Sequence, residues 1–255
     1  MATLLLKFIA PMQSWGSHSR FDVRDTEREP TKSGVLGLVA AALGRDRAEP
    51  VEDLARLRLG VRVDREGVVR YDYQTAKDVI RASTTRDKWR RARQKGQTTG
   101  TQDTVTSRRY YLADAAFLVG LEGDGNLLRA IEEALKRPRW ALFLGRKGYL
   151  PGKPIFFPDG GFRDAPLEEA LAAQPSIVVE PFEEEPAAKP HVTAKRFEEA
   201  PRYVIELLSG CTPDFPWLVH EIWDQPAAPF ALRKFAVRRV GEIRLPREEV
   251  PKPCT

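Results

Sequence analysis

The chain is 255 residues long, enough for one large domain or two small ones and for a sizeable core. Apolar residues at 42% and charged residues at 30% fit a soluble globular protein, and no apolar run approaches the roughly 20 residues of a membrane span. Two cysteines and three histidines exclude a disulfide framework and argue against Cys- or His-based metal sites, so no cofactor is expected and the cytoplasm is the simplest compartment.

Residues 3–10 form an apolar run without a basic leader, which predicts a buried first strand rather than a signal peptide. Pro11-Met12-Gln13-Ser14-Trp15-Gly16 breaks it into a loop, and residues 17–29 are polar and irregular. Thr31-Lys32-Ser33-Gly34 then leads into an apolar helix over 35–43, capped by Thr31 or Ser33 and stopped by Gly44. A short helix is expected over 51–57. Residues 59–63 and 68–73 alternate around an Asp64-Arg65-Glu66-Gly67 turn and predict a hairpin. A long strand is expected over 110–121, then a helix over 127–136 with Leu128, Ile131 and Leu135 at helical spacing, then a closing strand over 140–144.

The resulting order of strand, helix, strand, strand, helix, strand is that of a ferredoxin-like, RRM-like α+β domain spanning 1–150. Prolines recur from Pro151 onward, and 151–255 reads as a smaller, loop-rich β unit with strands over 176–180, 191–197, 203–207 and 235–245.

The net charge of +5 is unevenly distributed. Residues 77–109 hold ten basic and three acidic side chains, a net +7, so the remainder of the chain is at −2. Such a block suits a polyanion, whereas most charge runs are simply solvated faces. The stretch 94–106 is rich in Gly, Thr and Gln with almost nothing to anchor it, which predicts a basic arm inserted in the domain and ordered by a partner.

Three smaller features bear on binding. Gly145-Arg146-Lys147-Gly148 after a strand suits phosphate oxygens, and it equally suits an ordinary basic turn. Lys32 at a helix N-terminus is a ready anion site, with a plain cap as the competing reading. Trp15 either stacks on a base or covers the core. Catalytic readings are thin. His18 near Arg20, with Tyr110, offers a general base for metal-independent RNA cleavage, but no spacing singles these residues out.

Pro11-Met12-Gln13-Ser14-Trp15-Gly16 followed by Glu29-Pro30-Thr31-Lys32-Ser33-Gly34-Val35-Leu36-Gly37-Leu38 resembles the CasD family, the RAMP-type subunit of the type I-E CRISPR complex Cascade. Arg108-Arg109-Tyr110-Tyr111-Leu112-Ala113-Asp114-Ala115 and Arg137-Pro138-Arg139-Trp140, leading to Leu144-Gly145-Arg146-Lys147, agree with it, as does Lys234-Phe235-Ala236-Val237-Arg238-Arg239 more weakly. The resemblance implies a protruding thumb at about 77–109. It implies binding of the crRNA 5′ handle at one end of the CasC backbone, beside the large subunit CasA, without catalysis. A related subtype cuts RNA with its equivalent subunit, and the Tyr and Lys–His pair that it uses find no clear match here. The expectation is therefore a non-catalytic RNA-binding subunit with no membrane attachment. The alternatives are a repeat-processing endoribonuclease and a generic nucleic-acid chaperone. The expected RNA-binding residues are Met12, Gln13, Ser14, Trp15, His18, Arg20, Lys32, Ser33, Lys88, Arg90, Arg91, Arg93, Lys95, Arg108, Arg109, Gly145, Arg146 and Lys147.

Overall fold

Strand β1 (Ala2–Ile9) sends Leu4, Leu6 and Phe8 to one face and Leu5 and Ile9 to the other, and both faces are covered. A strand buried on both sides reads as a continuous apolar run, which is why it is legible without alternation. In this computed structural model the described residues are 1–17, 22–79, 103–178, 200–213 and 216–246. After β1 come β2 (Met12–Gln13), β3 (Val23–Arg24), α1 (Lys32–Leu43), α2 (Glu52–Ala55), β4 (Arg58–Arg65), β5 (Val68–Val79) and β6 (Asp103–Ala113). Then follow β7 (Ala116–Gly123), α3 (Gly125–Lys136), β8 (Phe162–Arg163), α4 (Leu167–Ala173), β9 (Arg202–Glu206), β10 (Leu218–Pro226), a 3-10 turn (Phe230–Leu232) and β11 (Phe235–Arg244).

The fold is α+β, with two sheets. The larger has the order β10-β11-β9-β4-β7-β1-β8 and is antiparallel at every step. Helices α1 and α3 cover one face through Leu36, Val39, Leu128, Ile131 and Leu135. Helix α4 covers the other through Leu167 and Leu171. Its close approach depends on a glycine pair. Gly60 of β4 lies opposite Gly120 of β7, and a Cβ on Gly120 would stand 2.5 Å from Leu167 Cδ1. Strands from residue 151 onward extend this same sheet at both edges: β8 pairs with β1, and β9 pairs with β4.

The smaller sheet is built on β6. Strand β5 runs antiparallel along one side, while β2 (antiparallel) and β3 (parallel) share the other.

Four expectations are corrected. The stretches 59–63 and 68–73 do not form a hairpin with each other: β4 pairs with β7 and β9, and β5 pairs with β6. The single strand over 110–121 is two strands in two sheets, broken where Asp114 takes φ 64. Residues 140–144 are no strand. Their backbone closes a loop, with Leu144 O accepting from Ser14 N and Leu144 N donating to Tyr149 O, and the strand that follows α3 is β8. Residues 176–178 lack strand structure, and the strand expected over 191–197 lies outside the described residues. Strands β9 and β11 fall where 203–207 and 235–245 were expected, whereas β10 and α4 were missed.

Candidate nucleic-acid interface

Strand β6 brings the site together. Its parallel pairing with β3 sets Arg24 directly beside Arg109 on one face of the small sheet. The loop after α3 supplies the third cation. Tyr149 N donates to Arg146 O, closing a turn, and Gly145 adopts φ 96. That glycine is dictated by packing: a Cβ there would lie 1.7 Å from Ser14 O. The Arg146 guanidinium donates to Arg24 O (3.1 Å) and to the Tyr149 hydroxyl (3.2 Å), which holds it over the loop. Together Arg24, Arg109 and Arg146 line a cleft of about 410 Å³ with Ser14, Gly16, Gly145 and Asp25.

A second hollow of about 560 Å³ shares Ser14, Gly16, Arg24 and Gly145 with the first, so the two are one continuous groove. It runs past Thr31, Ser33 and Gly34 to Arg47, Arg233, Phe230 and Phe235. Arg233 is one of two described non-glycine residues with positive φ (49), and that conformation ends the 3-10 turn at the groove rim. Among the described residues, five arginines therefore face one lining carboxylate, Asp25. Guanidinium forks match phosphate oxygens bidentately, and the exposed Phe235 ring offers a base a surface.

The expected residues separate into four groups. Ser14, Ser33, Arg109, Gly145 and Arg146 line the groove, and Met12 and Lys147 are exposed nearby. Arg108 is exposed on the opposite face of β6 from Arg109. Gln13, Trp15 and Lys32 are buried, and of these Trp15 also lines the second hollow. Gln13 Nε2 donates to Phe8 O and Ala115 O, and Trp15 stacks on Phe8 with ring centroids 5.5 Å apart. His18, Arg20, Lys88, Arg90, Arg91, Arg93 and Lys95 lie outside the described residues.

Lys32 needs explicit correction as an anion site. It is 1% exposed, and its Nζ donates to both carboxylate oxygens of Glu206 at 2.8 Å. Burial pulls its pKa down, and Glu206 opposes that shift. The helix N-terminus is also occupied, because Lys32 N donates to Asp224 Oδ2 at 2.6 Å while Thr31 makes no side-chain cap bond. Asp224 is held in turn by Arg238. The anion such a terminus attracts is thus a carboxylate from β10.

Arg24, Asp25, Arg47, Phe230, Arg233 and Phe235 were missed. Arg24 and Asp25 fall in the polar, irregular stretch 17–29, and only the pairing with β6 selects Arg24. Phe230 and Arg233 carry no local signal. They reach the loop after α1 because Ala231 N donates to Arg47 O.

The model of the family described as CRISPR-associated protein (Cas_Cas5) matches residues 3–240. The chain is 30% identical over 162 residues to the CRISPR system Cascade subunit CasD of Escherichia coli (strain K12), covering 60% of this chain and 69% of that protein. A crystal structure of a Cas protein aligns with a TM-score of 0.68 at 43% identity, covering 98% of both chains. A chain of a CRISPR RNA-guided surveillance complex aligns with a TM-score of 0.68 at 26% identity, covering 98% of this chain and 94% of that one. With its family match running almost end to end, the chain belongs to the Cas5 family of CRISPR-associated proteins, alongside CasD.

Proposed function

We propose that this chain is the subunit of a cytoplasmic CRISPR surveillance complex that holds the crRNA 5′ handle, its phosphates lying along the arginine groove. In this reading it caps one end of the CasC backbone beside CasA and performs no chemistry on the RNA. The observation that carries the proposal is the convergence of Arg24, Arg109 and Arg146 on one cleft from three separate chain segments. The relatives named as a Cascade subunit and as part of an RNA-guided surveillance complex support the assembly.

The same reading interprets β1, β4, β7 and β8 as a ferredoxin-like unit, since their spatial order of second, third, first, fourth with α1 and α3 on one face is the split βαβ arrangement. Strands β5 and β6, which flank the basic stretch 80–102, are then the base of the thumb. Tyr110, one of the candidate general bases, shares a face with Tyr71 on the side away from Arg109, which favours holding over cutting.

Salt dependence tests the groove. Single-stranded RNA binding loses about 0.7 in log–log salt slope per phosphate contact removed, so Arg24→Ala, Arg109→Ala and Arg146→Ala combined should flatten the slope by about 2. A slope equal to that of the unmodified protein refutes the groove. Incubation with unprocessed repeat RNA in EDTA tests the rest, because site-specific cleavage that Tyr110→Phe abolishes would establish an endoribonuclease instead.

A further inference from the structure

Strand β5 is exposed on both faces, and the two faces differ in chemistry. Arg70 and Asp72 lie opposite Tyr111 and Arg109 on the groove side. The outward side alternates Val69, Tyr71, Tyr73 and Thr75, all exposed, and across the strand Tyr71 meets Tyr110 and Tyr73 meets Arg108. Tyr71 is 59% and Tyr73 58% exposed, and the Tyr71 and Tyr110 ring centroids stand 5.7 Å apart, tilted by 47°. Single exposed apolar side chains are ordinary, but three tyrosines on one sheet face form a patch.

We propose that this outward face of β5 and β6 is a second nucleic-acid site, a platform on which bases of a single strand stack against Tyr71, Tyr73 and Tyr110. Three observations favour this over a protein partner. Among the described side chains of the two strands up to the irregularity after Ala76, this face carries the Arg108 cation and no carboxylate, while the opposite face holds Asp72. Rings two residues apart on a strand are spaced by roughly 6.8 Å, the gap that two bases open when one ring slides between them at a 3.4 Å rise. The platform also lies back to back with the groove, since adjacent residues of β6, Arg108 and Arg109, point to the two sides of the small sheet. A strand leaving the groove past β5, the edge of that sheet, meets the tyrosines next. Stacking is indifferent to sequence, because every base presents a π-face. The platform is thus suited to follow a groove that grips phosphates.

The test uses the full chain and two fluorescein-labelled probes, a decaadenylate and a decauridylate. Replacing one stacked ring by alanine weakens binding by roughly 5- to 150-fold. Tyr71→Ala and Tyr73→Ala should each fall in that range, with a larger loss on decaadenylate because purines stack better. Tyr71→Phe and Tyr73→Phe should keep full affinity, and melting temperatures should not move because both rings are exposed. Alanine variants that bind both probes within twofold of the unmodified protein overturn the proposal. An equal loss in the phenylalanine variants overturns it too, by assigning the effect to the hydroxyls. Unchanged RNA affinity with lost co-purification of other complex subunits would make the face a protein contact. The combined Arg24, Arg109 and Arg146 variant separates this inference from the groove: normal binding there with loss in the tyrosine variants sinks the groove alone, and the converse sinks the platform alone.

Discussion

Gly145 offers the sharpest test of how the groove is built. Its φ of 96 lies where only glycine sits comfortably, and an alanine Cβ would be 1.7 Å from Ser14 O and 2.8 Å from Ser14 C. Both obstacles are backbone atoms, so no rotamer change relieves them. Left-handed strain costs about 1–2 kcal/mol. Moving the loop by roughly 1.5 Å to restore contact distance breaks the 3.2 Å Ser14–Leu144 bond, about 1 kcal/mol, and adds overpacking of about 1–3 kcal/mol. Gly145→Ala should therefore cost about 3–6 kcal/mol, a drop of roughly 6–24 °C at 2–4 °C per kcal/mol for a chain of this size. Gly148, in the same loop, has no positive φ and nothing within 4 Å of a built Cβ, so Gly148→Ala is the internal control. Differential scanning fluorimetry with RNA binding on the same samples reads both effects. If Gly145→Ala melts within a degree of Gly148→Ala, the steric argument is wrong. If it binds RNA poorly while melting normally, the glycine answers to the ligand, as the sequence alone suggested.

Three other outcomes follow from packing and charge. Lys32→Ala leaves Glu206 without its ammonium partner beside the core and should cost about 3–5 kcal/mol, with a milder loss for Lys32→Met; a melting temperature unchanged by either returns Lys32 to a ligand-binding role. Gly120→Val should cost about 1–3 kcal/mol by driving Leu167 off the sheet, whereas Gly37→Ala, with nothing within 4 Å, should gain about 0.5–1 kcal/mol, and chemical denaturation that ranks them otherwise refutes the close-packed account of α4. Burial pushes the Glu66 carboxyl up, but bonds from Arg202 and Arg244 together outweigh it and hold the pKa below the ordinary 4.5. Its contribution is therefore present above that pH and is lost as acid drives the pH through the lowered value, so Glu66→Gln should flatten the acid limb of a stability–pH profile, and parallel limbs would contradict the pairing.

The elements legible in the sequence are those whose signal is local. Strand β1 is a continuous apolar run, α1 ends at Gly44 with φ 75, and α3 buries Leu128, Ile131 and Leu135 at helical spacing. The failures are matters of partnership. The turn at 64–67 is real, and Gly67 takes φ 71, but a turn signal reports a change of chain direction and not which strand will pair. Strand β5 finds β6 because β7 and β9 already occupy both edges of β4. Asp114 is a similar case. A single non-glycine residue in the left-handed region divides one apolar stretch between two sheets, and Asp tolerates that region without announcing it. Helix α4 was hidden because seven residues behind Pro166 carry only one full Leu-to-Leu repeat, and its depth against the sheet depends on glycines distant in sequence.

Charge shows the same division between local and global information. Lys32 is buried against Glu206, Arg202 against Glu29 and Glu66, and Arg238 against Asp224. Each pair except the last joins β9 to the first third of the chain, so these ions tie that strand to α1, to the segment before it and to the β4–β5 turn. A buried charge left alone would cost several kcal/mol, so every one of these cations arrives with its own carboxylate. Counting charges along the sequence cannot separate cations satisfied inside the fold from cations presented to a ligand. Arg24 and Arg202 look alike as text. What distinguishes them is that Arg202 donates to Glu29 and Glu66, whereas Arg24 lines the groove and its carbonyl accepts from the Arg146 guanidinium. The groove is therefore best defined as the place where arginines from β3, β6 and the 144–149 loop converge with a single carboxylate among them, a property of the assembled sheets rather than of any basic run.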